Sequence, residues 1–179
     1  MARQEWNSRL SFIMASVGSA IGPFRDINSA VWREYEDGRS TPDLIRTKRF
    51  VQLVELLELG ADPQRLSDAY VGHLAEAVFL MDGALDLLEK LCKTFTLIMV
   101  TNGLATVQRS RFALAGMDRY FQDVLISQEV GVQKPEPEIF RLAVARAGAG
   151  IRVDRAIMVG DSLRSDIRGA IDAGLDACW

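Results

Sequence analysis

Thr101, Asn102 and Gly103 follow directly on the apolar run TLIMV, Lys134 stands before Pro135 in GVQKPEPE, and Asp161 and Asp166 share the stretch GDSLRSD. They supply a hydroxyl, an amide, a flexible backbone position, one ammonium and two carboxylates. Such groups can surround a phosphoryl group and a hard divalent cation, because Mg²⁺ takes one or two carboxylates and shares the phosphate oxygens. Each also has a plainer use: a turn after a strand for Thr101 to Gly103, an exposed loop for Lys134, a helix cap for Asp161. Their joint meaning depends on where the chain puts them.

From Asn28 the sequence carries charged, helical patterning that closes on Gly60, and Asp62 with Pro63 reads as the capped first turn of a helix reaching about Phe79. After Asp82 the pattern alternates. GALDLLEKL is a short amphipathic helix, and Thr96 to Val100 is a continuous apolar run expected of a strand buried on both faces. The helix ATVQRSRFALAG, the strand DVLIS and the helix PEIFRLAVARAG follow. The last of these has Pro137 near its start and Gly148 as its stop. Ala156 to Gly160 is a third strand, and SDIRGAIDAG is a final helix before LDACW. Strands separated by helices imply a parallel sheet in a layered α/β fold, in which ligands collect outside the carboxyl ends of the strands. Thr101, Asn102, Asp161 and Asp166 all lie just beyond such ends.

Composition narrows the function classes. At 179 residues, with 49% hydrophobic and 25% charged residues, the chain suits one globular domain plus a small appendage. A net charge of −3, with lysines and arginines scattered, argues against a nucleic acid polymer as partner. Cys92 and Cys178 form no metal or disulfide pattern, which fits a reducing, cytoplasmic setting. The single histidine, His73, excludes sites that need two imidazoles and reads as a helix-surface residue. The apolar stretch Leu10 to Phe24 is shorter than the roughly 20 residues that cross a bilayer, so a membrane span is not expected. Arg3 and Arg9 would suit the basic start of a signal peptide, but Glu5 intervenes and no cleavage site follows.

TLIMVTNG, VGVQKPEPEIF and IMVGDSLRSDIRGAIDAG resemble the second, third and fourth signatures of the haloacid dehalogenase-like hydrolases. INSAVWREYEDGRST and the ending LDACW resemble the pyrimidine 5′-nucleotidase branch of that superfamily, and the likeness covers Ile27 to Trp179. It implies an α/β fold with a Rossmann-like parallel sheet and a helical cap, and Mg²⁺-dependent hydrolysis of a small phosphomonoester, a nucleoside 5′-monophosphate, through an aspartyl-phosphate. Carried over by position, Thr101 and Asn102 would hold phosphoryl oxygens, Lys134 would neutralise the phosphate, Asp161 would ligate Mg²⁺, and Asp166 would support the metal shell and orient the lysine. The resemblance divides the chain into a leader at 1–24, a cap remnant at 25–80 and a core at 81–179.

The family opens with a hydrophobic strand followed by a D-x-D-x-T run whose first aspartate is the nucleophile. This sequence has no such run: Asp26 precedes Ile27 and Asn28, and Asp82 stands in FLMDGALDLL. The first core strand is therefore expected to be missing or replaced, and turnover negligible, with a non-catalytic phosphate- and Mg²⁺-binding remnant as the alternative. Residues Arg3 to Gly22 are similar to the start of sodium-dependent neurotransmitter-type symporters, so the leader reads as a transporter-like piece joined near Pro23. Two dispositions are open for it: a helix outside the core, or Ser11 to Val17 as a substitute for the lost strand.

Overall fold

The computed structural model describes the backbone from Ala2 and the side chains from Gly18, both through to Trp179. The side chains of most of the transporter-like stretch therefore lie outside the described residues. The chain forms two compact units, Met1–Tyr70 and Val71–Trp179.

The first unit is helical. Helix α1 spans Ala2–Glu36 and runs through Pro23, which removes one backbone donor without ending the helix. Helix α2, Pro42–Leu56, begins on Thr41, whose hydroxyl accepts from the Leu44 N–H, with Pro42 in the first turn where no backbone donor is needed. Val31 and Tyr35 of α1 pack with Ile45 of α2 in a small core flanked by Ile27 and Trp32. A second cluster joins the rings of Phe24, Phe50 and Tyr70, with the Arg49 guanidinium lying 4.6 Å from the Tyr70 ring centre. Helix α3, Pro63–Glu76, opens at Asp62, whose carboxylate accepts from the Gln64 N–H, and from Val71 onward it and the segment after it belong to the second unit. His73 is exposed on it. The helix stops before the expected end at Phe79, because Val78 and Leu80 leave it in a non-helical segment and line a cavity against Met99 and Phe112.

In the second unit strands and helices alternate. Helix α4 (Ala84–Leu91) precedes strand β1 (Ile98–Thr101), helix α5 (Ala105–Leu114), strand β2 (Asp123–Ile126) and the single turn α6 (Ser127–Val130). Helix α7 (Pro137–Ala147), strand β3 (Ile157–Val159), helix α8 (Gly169–Ala173) and strand β4 (Asp176–Cys178) complete it. The expected last helix is split: a π-helical turn, Leu163–Arg168, runs into α8. Strand β1 pairs parallel with β2, and β3 pairs parallel with β4.

Alternation along β1 fixes the layers. Val100 packs with Ile139, Phe140, Ala170 and Ala173 of α7 and α8, whereas Met99 and Thr101 face Gln108 and Phe112 of α5. Helices α5 and α7 thus cover opposite faces. The described strands form two separate two-stranded sheets, β1 beside β2 and β3 beside β4, and β1 and β3 share no ladder. Ser11 to Val17 lies within α1, so it is not the strand that would join them.

Candidate active site

The carboxyl ends of β1 and β3 meet around one buried ion pair. The Lys134 ammonium donates to Asp166 Oδ1 at 2.6 Å and to the Val100 carbonyl of β1 at 2.9 Å. Lys134 is 9% exposed and Asp166 4%, so each charge depends on the other for its place in the interior. The second oxygen, Asp166 Oδ2, accepts from the Ser162 N–H at 3.0 Å.

Local structure holds both partners. Gly131, in the left-handed region at φ 76°, ends α6 and turns the chain into the loop that carries Lys134. Asn102, immediately after β1, fastens that loop with both ends of its amide: Oδ1 accepts from the Lys134 N–H at 2.9 Å and Nδ2 donates to the Lys134 carbonyl at 2.8 Å. Asp166 sits in the π-helical turn that Ser162 caps through its hydroxyl, which accepts from the Ser165 N–H. Gly160 is required beside it, since a Cβ there would lie 2.4 Å from Asp166 Oδ2.

Thr101 Oγ1 accepts from the Gly103 N–H at 3.1 Å, which leaves its hydroxyl proton available as a donor. Asp161 follows β3, exposed, and its carboxylate has no polar partner among the described residues. Its main-chain carbonyl accepts from Trp179 Nε1 at 3.1 Å. Thr101, Asn102, Lys134, Asp161 and Asp166 thus all gather at one end of the strand layer. Asn102 is engaged with the lysine loop, and Asp161 stands outside the hydrogen-bonded cluster.

Three contributors escape a reading of the sequence. The Val100 carbonyl and the Ser162 N–H are main-chain groups without a residue-type signature, and Trp179 reaches Asp161 from the far end of the chain. Gly160, expected only as the end of a strand, carried a signal that could have found it: a glycine between an apolar strand and an aspartate marks a close approach.

Strands with lysine, amide, hydroxyl and carboxylates at their carboxyl ends belong to an α/β protein able to hold an anionic group there. The model of the haloacid dehalogenase-like hydrolases matches residues 16–174, and the chain belongs to that family. It is 36% identical over 156 residues to the HAD-hydrolase YfnB of Bacillus subtilis, a match covering 87% of this chain and 66% of that protein. It is 35% identical over 171 residues to the pyrimidine 5′-nucleotidase YjjG of Escherichia coli, covering 94% of this chain and 75% of that one. The crystal structure of magnesium-bound YfnB superposes with a TM-score of 0.86 at 33% identity, covering 99% of this chain and 81% of the other. The chain spans about two thirds to three quarters of the length of these two curated relatives. Among the described residues, no helix is long and apolar enough to cross a membrane.

Proposed function

We propose that this chain is a phosphate- and Mg²⁺-binding protein descended from a nucleoside 5′-monophosphate hydrolase, and that its own turnover is negligible. The buried Lys134–Asp166 pair at the carboxyl end of β1 carries the reading. It supports the reading by holding an ammonium, in low dielectric, on the Val100 carbonyl, next in sequence to Thr101, whose hydroxyl is the second group assigned to the phosphoryl oxygens.

Each residue has a task. Lys134 neutralises a phosphate oxygen with the ammonium proton it has not committed, and Thr101 donates its hydroxyl to another. Asn102 acts through Lys134 by fixing the loop, and Asp166 aims the ammonium. The donor set suits Mg²⁺, which needs few protein carboxylates, because Asp161 offers an exposed carboxylate with no competing partner. When bound there, Mg²⁺ would supply charge neutralisation and orientation to the phosphate. Of the two carboxylates after β3, Asp166 is committed to Lys134 and Ser162, and Asp161 is the cation ligand, so neither is left to attack phosphorus. Likeness to YjjG supports a pyrimidine nucleotide as the ligand.

Calorimetric titration with uridine 5′-monophosphate tests the binding half of this reading. Saturable binding that requires Mg²⁺ and weakens about tenfold in Asp161→Asn and in Thr101→Val is the expected result, given the worth of charge-assisted hydrogen bonds. Affinity unchanged by Mg²⁺ and by both substitutions would contradict it.

A further inference from the structure

Gln108, Arg111 and Phe112 of α5, with Ala115 at its cap, are spaced three or four residues apart and share one helix face. That face lines a cavity of about 120 Å³ together with Met99 of β1. The non-helical segment after α3 adds a wall through Val78 and Leu80, so the whole cavity lies within the second unit.

A helix face turned toward a strand is ordinarily apolar, and the buried Phe112 fits that rule. Arg111 and Gln108 do not. Both are half-buried, and neither the guanidinium nor the amide has a hydrogen-bond or ion-pair partner among the described residues. Gln108 packs so closely on Gly103 that a Cβ there would collide with its amide. Arg109 of the same helix, pointing away, has its carboxylate in Glu129. A cation withdrawn from water without a partner is costly, and an anion in the cavity offsets that cost.

We infer that this cavity is a binding site for a small aromatic monocarboxylate, held by the Arg111 guanidinium and the Gln108 amide with its ring among the apolar walls. The charge follows from Arg111, one planar fork of donors that matches one carboxylate. Size limits the body to a single ring, since a cavity of roughly 150 Å³ accommodates benzene. The walls select the ring over an aliphatic chain, because Phe112 offers an aromatic face and Met99 and Met117 offer thioether sulfurs. Thr101 also borders the cavity, but its hydroxyl, assigned to phosphate, is not required, and no donor of Lys134 is used. This is a ligand site additional to the proposed phosphate site.

Calorimetric titration of the whole chain with benzoate tests it, without nucleotide or Mg²⁺, so that the outcome is independent of the phosphate reading. Saturable one-to-one binding is expected. Arg111→Met, which keeps an apolar stem and removes the charge, should weaken it about tenfold or more. Ala115→Leu, which fills the cavity from the helix cap, should abolish it. Thermal unfolding checks that both variants fold. Two analogues test the same assignment on the parent chain: benzamide, neutral and of the same shape, and butyrate, charged but without a ring, should each bind about tenfold more weakly. No binding of benzoate, affinity unchanged in both folded variants, or either analogue binding as tightly as benzoate would overturn the proposal.

Discussion

Lys134 and Asp166 meet at 2.6 Å, and because the same ammonium also reaches the Val100 carbonyl, one buried cation ties the end of β1 to the turn that follows β3. This tie crosses between two sheets that share no ladder, so it serves the architecture as well as the proposed phosphate site.

Removing one partner leaves the other charge buried and unpaired. Lys134→Ala is expected to destabilise the second unit by about 3–5 kcal/mol, whereas the double change Lys134→Met with Asp166→Leu recovers much of that loss. Urea unfolding of the parent, both single variants and the double variant measures the coupling. A single-variant loss below about 1 kcal/mol would mean that the pair is not desolvated as described.

Gly160→Ala is expected to disturb the same pair from a different direction. The added Cβ meets the Asp166 carboxylate and its own Cβ, at 2.4–2.6 Å, so the aspartate must leave either Lys134 or the Ser162 N–H. A loss of about 1–3 kcal/mol accompanies overpacking of this kind. Thermal unfolding reports the stability and nucleotide titration the site. Both unchanged would place Asp166 elsewhere.

Arg49 offers a contrasting case in the first unit. It is 2% exposed, donates from Nη1 to Asn28 Oδ1 at 2.9 Å, and its Nε has no hydrogen-bond partner. Burial holds its pKa below the usual guanidinium value, offset in part by Tyr70. A buried cation with no carboxylate partner among its hydrogen bonds is costly, so Arg49→Met is expected to leave stability within about 1 kcal/mol of the parent or to raise it. Asn28→Ala, which removes its hydrogen-bond acceptor, is expected to cost about 1–3 kcal/mol. Chemical denaturation separates the two, and a large loss in Arg49→Met would overturn the argument.

The strands and their polar ends were readable because an apolar run followed by polar residues stands out, although the expected burial on both faces is not found: β1 is half-buried and β3 partly exposed. The strand expected over Thr96 to Val100 is found as β1 at Ile98–Thr101, two residues later at its start and one at its end. Less visible was the work of Asn102, whose amide is spent on Lys134, because that bond depends on a loop folding back across the end of the layer. The absence of a D-x-D run was plain in the sequence. The division of the described strands into two separate two-stranded sheets was not legible there, because strand pairing is a long-range contact. Local pattern misled at Val78 to Leu80, which are non-helical and line a cavity together with residues of β1 and α5.

Phosphate release from uridine 5′-monophosphate, measured with and without Mg²⁺ for the parent and for Asp161→Asn, tests the central claim most directly. Losing a nucleophile from a set of groups that act as a unit costs on the order of 10⁶ in turnover. The account predicts release by the parent that is indistinguishable from that of Asp161→Asn and unaffected by Mg²⁺, although the nucleotide binds. Fast, Mg²⁺-dependent release abolished in Asp161→Asn would show that another group attacks phosphorus, and would contradict it.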